Sequence, residues 1–145
     1  MNTKLKAYYF AEKKHKGQLD DNGKDYFAEH CHKVARAVGI LTDDTDIISA
    51  AWLHDTLEDT DTTYEELVNE FNKRIADLVM EVTQEGQKDN YGYYFPRLKT
   101  KEGILIKLCD RASNISRMDT WDDKRQSQYC KRTKFWKDGS DRNNK

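Results

Sequence analysis

The chain has 145 residues, enough for one domain that buries roughly 70% of the surface its unfolded form exposes. Hydrophobic residues make up 37% and charged residues 35%, with a mean hydropathy of −1.01, so the core must be lean. No apolar run reaches the roughly 18 residues of a membrane span, and the N-terminal stretch has lysines but no apolar core of a signal peptide. The net charge of −1 hides an asymmetry: residues 37–72 hold ten Asp/Glu and no Lys/Arg. The basic flanks suit an anionic substrate but are too dilute for a nucleic-acid surface. Cys31, Cys109 and Cys130 form no CxxC pair and read as reduced thiols of a cytoplasmic protein.

With one proline and seven glycines, the chain favours helix. A first helix is expected over about Thr3–Lys16, with Tyr8, Ala11 and His15 on one stripe, then a turn-rich loop over Gly17–Gly23. A second helix should run from Asp25 to Val38 and end at Gly39. Thr42–Thr45 should cap a third that continues to about Leu57. Thr63 and Glu66 have the spacing of a capping box, opening a short helix to Phe71. Another is expected over Lys73–Thr83, then the linker "QEGQKDN" and a short helix over Tyr91–Leu98 interrupted by Pro96. Lys101–Met118 and Asp122–Lys137 complete the set. No alternating β-pattern and no repeat occurs. The expected fold is all-α: one compact multi-helix domain over residues 1–137, with 138–145 as a frayed tail.

The stretch "AWLHDTLEDT" (51–60) breaks the pattern. Ile47, Ile48, Ala50, Ala51 and Leu53 read as a buried helix, yet His54, Asp55, Glu58 and Asp59 follow within two turns. Buried charges are costly unless paired or bound to a metal. At about 100° per residue the four polar groups share an arc at the edge of the buried stripe, as a pocket floor requires. In the second helix His30 shares a stripe with Phe27, Val34 and Val38 and points inward, while His32 lies with Glu29 and Arg36 on the polar side. A lone inward histidine is commonly a satisfied core residue; a second one together with carboxylates shifts the balance toward a ligand set. In "ILIKLCDRASNIS" the apolar face is expected to be Ile104, Leu105, Leu108, Cys109, Ala112 and Ile115, with Asp110 at its boundary and Asn114 one turn on. Two imidazoles and two carboxylates suit Mn²⁺ or Fe²⁺ and, less often, Mg²⁺. Glu58 and Asp59 are then spare carboxylates beside the ion, able to orient or deprotonate an attacking water and to pass a proton to a leaving group.

The order His30, His54-Asp55, Asp110 resembles that of the HD-domain metal-dependent phosphohydrolases. "LHDTLEDTDTT", "RIADLVMEVT" and "KLCDRASNI" together resemble the hydrolase domain of the RelA/SpoT family and its stand-alone small alarmone hydrolases, over about Tyr8–Tyr129. The resemblance implies Mn²⁺ held by His30, His54, Asp55 and Asp110, with Glu58 and Asp59 as the catalytic pair. It further implies nucleotide contact by Asn114, and by Arg125 and Tyr129 of "WDDKRQSQY", which stand i and i+4 on one helix face. Two departures stand out. Where the family carries Arg-Lys after "HxGQ", this chain has Leu19, Asp20 and Asp21, leaving Lys24 as the nearest cation. The proline that follows the first histidine is Cys31.

The resemblance implies removal of the 3′-pyrophosphate of ppGpp or pppGpp, a small-molecule nucleotide substrate with no role for nucleic acid or membrane. The alternatives are another nucleotide phosphate, such as a deoxynucleotide or a nicotinamide dinucleotide phosphate, and a non-catalytic nucleotide-binding module. Oligomeric state leaves no mark on the sequence.

Overall fold

The computed structural model describes residues 1–84 and 98–132, with side chains to residue 130. Within them run α1 (Thr3–Lys14), a π-helical turn (Phe27–Cys31) continuous with α2 (His32–Leu41), α3 (Thr45–Leu53), α4 (Thr56–Asp59), α5 (Tyr64–Glu70), α6 (Lys73–Val82), α7 (Lys101–Ser116) and α8 (Asp123–Arg132). The described residues contain no β-strand; one isolated bridge pairs Leu19 with Asp25. The all-α expectation is met. Residues 85–90 of the linker, the helix expected over Tyr91–Leu98 except for Leu98, residues 133–137 of the expected last helix, and the tail 138–145 lie outside the described residues.

The central element is α3, which packs against α1, α2, α6 and α7. Its sequence explains that position. Ala50, Ala51 and Leu53 are fully enclosed, and the two alanines let neighbouring helices approach closely. Burying Leu53 contributes roughly 1.5–3 kcal/mol. The N-terminus of α3 is closed by Asp44, which accepts the amides of Asp46 and Ile47 and meets Arg74 of α6 at 2.9 Å. On the opposite side Trp52 stacks on Phe27 and His32 and meets Tyr8 edge-on. This aromatic cluster joins α1 and α3 to the segment that carries His30.

Helix ends follow side-chain caps where these exist. Asn2, Thr63, Asn72 and Thr100 each accept an amide of the first turn they precede. Three expectations need correction. The second helix does not stop at Gly39. It runs to Leu41, because Gly39 does not take the left-handed conformation with which glycine ends helices. The third does not continue to Leu57; it breaks at His54–Asp55. There His54 Nδ1 takes the carbonyl of Ala51 at 2.8 Å and Thr56 Oγ1 takes that of Leu53 at 2.7 Å, both acceptors that a further helical turn would claim. Finally, the buried face of α7 is Gly103, Ile106, Cys109, Asp110 and Ser113. Ile104, Leu108, Ala112 and Ile115 are exposed, because the face turned to α2 and the π-helical turn is the one bearing the polar groups that meet His30.

Candidate metal centre

Four side chains from three parts of the chain converge. His30 comes from the π-helical turn, His54 and Asp55 from the break after α3, and Asp110 from α7. All four are buried, and their ligand atoms lie within 4.8 Å of one another. His30 Nε2 is 2.9 Å from Asp110 Oδ1 and 3.3 Å from Asp55 Oδ2. His54 Nε2 is 3.1 Å from Asp55 Oδ2 and 3.4 Å from Asp110 Oδ1. The two Nε2 atoms are 3.2 Å apart.

The surroundings aim these atoms. His54 Nδ1 donates to the Ala51 carbonyl, which leaves Nε2 as the nitrogen that faces the cluster. Ser113 Oγ sits 2.9 Å from Nδ1 of His30. Tyr26 donates its hydroxyl to Asp55 Oδ2 at 2.6 Å, and Lys107 meets the outer oxygen of Asp110 at 3.1 Å. Two imidazole lone pairs aimed at each other between two carboxylates are stable only with positive charge among them. Burial would lower both histidines, but hydrogen bonds and the charges of Asp55 and Asp110 raise them, His54 well above its usual value. Burial would likewise raise the carboxyls. The His54 charge holds Asp55, and the Lys107 charge Asp110, well below the usual carboxylate range. A divalent cation would supply the same charge and displace the imidazole protons. The spacing fits: ligand bonds of about 2.1 Å put neighbouring octahedral donors about 3 Å apart. Imidazole and carboxylate donors with no thiolate select a hard or borderline ion. Cys31 is fully enclosed and burial drives its thiol upward, so it fills space under the site and offers no thiolate.

Glu58 and Asp59 lie on α4, one turn after Asp55, and both reach solvent. Burial on their inner side, then the Asp55 charge, raises both carboxyls. Glu58 Oε1 accepts the amide of Gln84 at 2.5 Å, and Asp59 Oδ2 accepts from Gln18 at 3.2 Å. Asn114 follows Asp110 by one turn, and its Oδ1 accepts from Arg117 at 2.8 Å. Arg117 also meets Asp20 at 3.2 Å. The Asp20 side chain is only 2% exposed and accepts the amides of Asn22 and Lys24. The acidic loop is therefore matched by a cation from the end of α7. Lys24 itself is exposed and contributes its backbone to the Asp20 turn. On α8, Arg125 pairs with Asp21 at 2.6 Å and lies 3.7 Å over the Trp121 ring, which Tyr129 meets edge-on. The converging cluster consists of His30, His54, Asp55 and Asp110; Arg125 and Tyr129 stand on α8 and Lys24 in the loop before the π-helical turn.

Sequence reasoning missed Tyr26, Ser113 and Arg117, and left open whether Lys107 faces the pocket, which its pairing with Asp110 answers. Tyr26, Ser113 and Lys107 stand three or four residues from His30 or Asp110 on the same helical run, so helical spacing carried a usable signal for them. The Asp20–Arg117 pair spans the chain and had none.

Residues 7–93 match the family model described as HD domain. The chain belongs to the HD-domain family. Among curated relatives, this HD-domain chain is 39% identical over 138 residues to the guanosine-3′,5′-bis(diphosphate) 3′-pyrophosphohydrolase of Aquifex aeolicus, covering 88% of this chain and 19% of that protein. It is 33% identical over 142 residues to the GTP pyrophosphokinase of Myxococcus xanthus, with 88% and 19% covered. The chain thus spans about a fifth of the length of these relatives. A solved structure, described as a metazoan ortholog of SpoT that hydrolyzes ppGpp and plays a role in starvation responses, superposes with a TM-score of 0.75 at 26% identity, covering 89% of this chain and 80% of that one. No described helix of this HD-domain chain is long and apolar enough to cross a membrane.

Proposed function

We propose that the chain hydrolyses the 3′-pyrophosphate of ppGpp or pppGpp to GDP or GTP and pyrophosphate. The resident ion is Mn²⁺, with Fe²⁺ or Mg²⁺ as substitutes, held by His30, His54, Asp55 and Asp110. The observation that carries this reading is the convergence of those four groups beside the Glu58–Asp59 pair. The likeness to a pyrophosphohydrolase and to a SpoT ortholog supports the choice of substrate. The free state of Cys31, Cys109 and Cys130 supports a cytoplasmic setting.

A divalent ion held by the cluster supplies the charge that acidifies water and polarises a phosphoryl oxygen. The residues do the rest. Glu58 and Asp59 have carboxyls raised by burial and by Asp55, which makes them able both to take and to give a proton. One orients water toward the phosphorus on the 3′-oxygen and accepts its proton. The new P–O bond forms, the bond between phosphorus and the 3′-oxygen breaks, and the other carboxyl returns a proton to that oxygen, leaving a 3′-hydroxyl and pyrophosphate. Asn114, its Oδ1 occupied by Arg117, offers its NH₂ to an acceptor on the nucleotide. Arg125 and Tyr129 contact the nucleotide from α8, and Lys24 approaches it from the acidic loop. The test is release of pyrophosphate from ppGpp by the Mn²⁺-loaded protein; no release rejects the substrate.

Asp20 and Asp21 favour a second reading. Asp20 occupies Arg117 and Asp21 engages Arg125, so the cations here are partly neutralised. That suits a nucleotide phosphate with fewer charges, such as a deoxynucleotide or a nicotinamide dinucleotide phosphate. A substrate panel separates the two.

A further inference from the structure

Three polar side chains form a line that ends on Asp59. His15 caps α1 and is 1% exposed. Its Nδ1 lies 2.7 Å from Gln18 Oε1, and Gln18 Nε2 lies 3.2 Å from Asp59 Oδ2. The direction of the line is set by its end. A carboxylate oxygen accepts, so Gln18 turns its NH₂ to Asp59 and its carbonyl to His15, which donates from Nδ1. His15 Nε2 is then a bare lone pair, and it is buried without a hydrogen-bond partner. An enclosed polar atom with no partner opposes folding. An apolar side chain in that place would avoid the penalty, so the imidazole is kept for what its other nitrogen does.

The backbone holds Gln18 equally firmly. Its amide donates to the His15 carbonyl and its carbonyl accepts from Tyr26, both at 2.9 Å. The turn between His15 and Gln18 needs Gly17 at φ +87°, a conformation that side chains with a Cβ rarely adopt. Tyr26 in turn bonds Asp55. Gln18 is therefore anchored to the same framework as the metal cluster, and it reaches from there to the exposed carboxylate. Asp59 Oδ1 makes no side-chain hydrogen bond among the described residues.

We propose that Gln18, locked by His15, is a positioning residue: it grips Oδ2 of Asp59 so that Oδ1 faces the reacting water or leaving oxygen. This rests on Asp59 acting in the hydrolysis described above. An amide orients the carboxyl group without placing a cation beside it, as a lysine at this position would.

The test uses the full chain with Mn²⁺ and ppGpp. Gln18→Met keeps the volume and removes both hydrogen bonds; kcat should fall at least 30-fold with KM within twofold and metal content unchanged. His15→Leu should fall similarly, while His15→Asn, whose NH₂ replaces the Nδ1 donor, should recover most of the rate. Nitrogen NMR at pH 8 should find the His15 proton on Nδ1 in the wild type and redistributed in Gln18→Met. A Gln18→Met kcat within twofold of wild type, a loss confined to KM, or equal losses in His15→Leu and His15→Asn would overturn the proposal. An active wild type with the proton on Nε2 would refute the line of hydrogen bonds alone. A wild type that cleaves no nucleotide phosphate would refute the catalytic reading, and with it the purpose given to Gln18, even with the Nδ1 proton in place.

Discussion

Ser113 Oγ stands 2.9 Å from Nδ1 of His30, on the side of the ring away from the carboxylates. Partners of this kind fix ring orientation and ligand basicity, and their loss costs about 10–100-fold in metal affinity. Ser113→Ala should weaken Mn²⁺ binding by that factor and leave the fold intact. Calorimetric titration of Mn²⁺ into the metal-free protein measures it, and an unchanged affinity would remove Ser113 from the centre.

Binding an ion only in the folded state stabilises it by mass action, by about 2.7 kcal/mol at a hundredfold excess over Kd. For a domain of this length each kcal/mol moves Tm by roughly 2–4 °C. Mn²⁺ should therefore raise Tm in the wild type, and a chelator should reverse the rise. His54→Ala and Asp110→Asn should show neither effect in a thermal melt.

Glu58→Gln and Asp59→Asn keep shape and lose the ability to carry a proton. Each should cut pyrophosphate release by about 10²–10⁴-fold while the metal content stays at the wild-type level. Full activity in both, assayed beside elemental analysis of the bound metal, would refute their assignment.

Glu81 and Gly103 make a stability test away from the site. The buried Glu81 carboxylate accepts the amides of Lys99 and Thr100 and the Thr100 hydroxyl, which organises the start of α7. A Cβ on Gly103 would collide with its Oε2. Alanine in a helix is worth about 1 kcal/mol over glycine, but overpacking of this kind costs about 1–3 kcal/mol. The clash should win, and Gly103→Ala should lower the urea midpoint; a raised midpoint would show that Glu81 can move aside freely.

Asp20 sets an acid limit. Burial would raise its carboxyl, but hydrogen bonds from Lys24 and Asn22 and the Arg117 charge hold it below the usual value. A depressed folded-state pKa contributes stability that is full above the unfolded value of about 3.9 and is lost as pH falls through the folded value. Asp20→Asn should lose that increment at neutral pH, and the gap to wild type should close on acidification below about pH 4. Urea unfolding followed from pH 6 to pH 2.5 reads the convergence.

Much of the architecture was legible because local chemistry decided it. Thr63 and Glu66, and the run from Lys101, announced helix starts that the structure places at Tyr64 and Lys101. The order of His30, His54, Asp55 and Asp110 announced the cluster. What failed were inferences that carried a regular 100° helix through a place where side chains take the backbone's partners. His54 and Thr56 do this after α3, so the arc drawn from His54 to Asp59 was not that of one continuous helix. The inward face of α7 was misjudged for a related reason. Periodicity assigns the core to the greasiest stripe, whereas here a polar stripe is drawn in by His30. Arg117 owes its place to its contact with Asp20 across the fold, which spacing along the chain does not record.

The widened turn at Phe27–Cys31, where the His32 amide reaches back to the Phe27 carbonyl, gives the centre a sensitivity to chain length as well as to residue type. Such turns hold one more residue than a regular coil and recur at functional positions. Removing a single residue there would restore ordinary winding and swing the first imidazole by about 100° relative to the helix that follows. The donor set would then be broken with every one of its members still present.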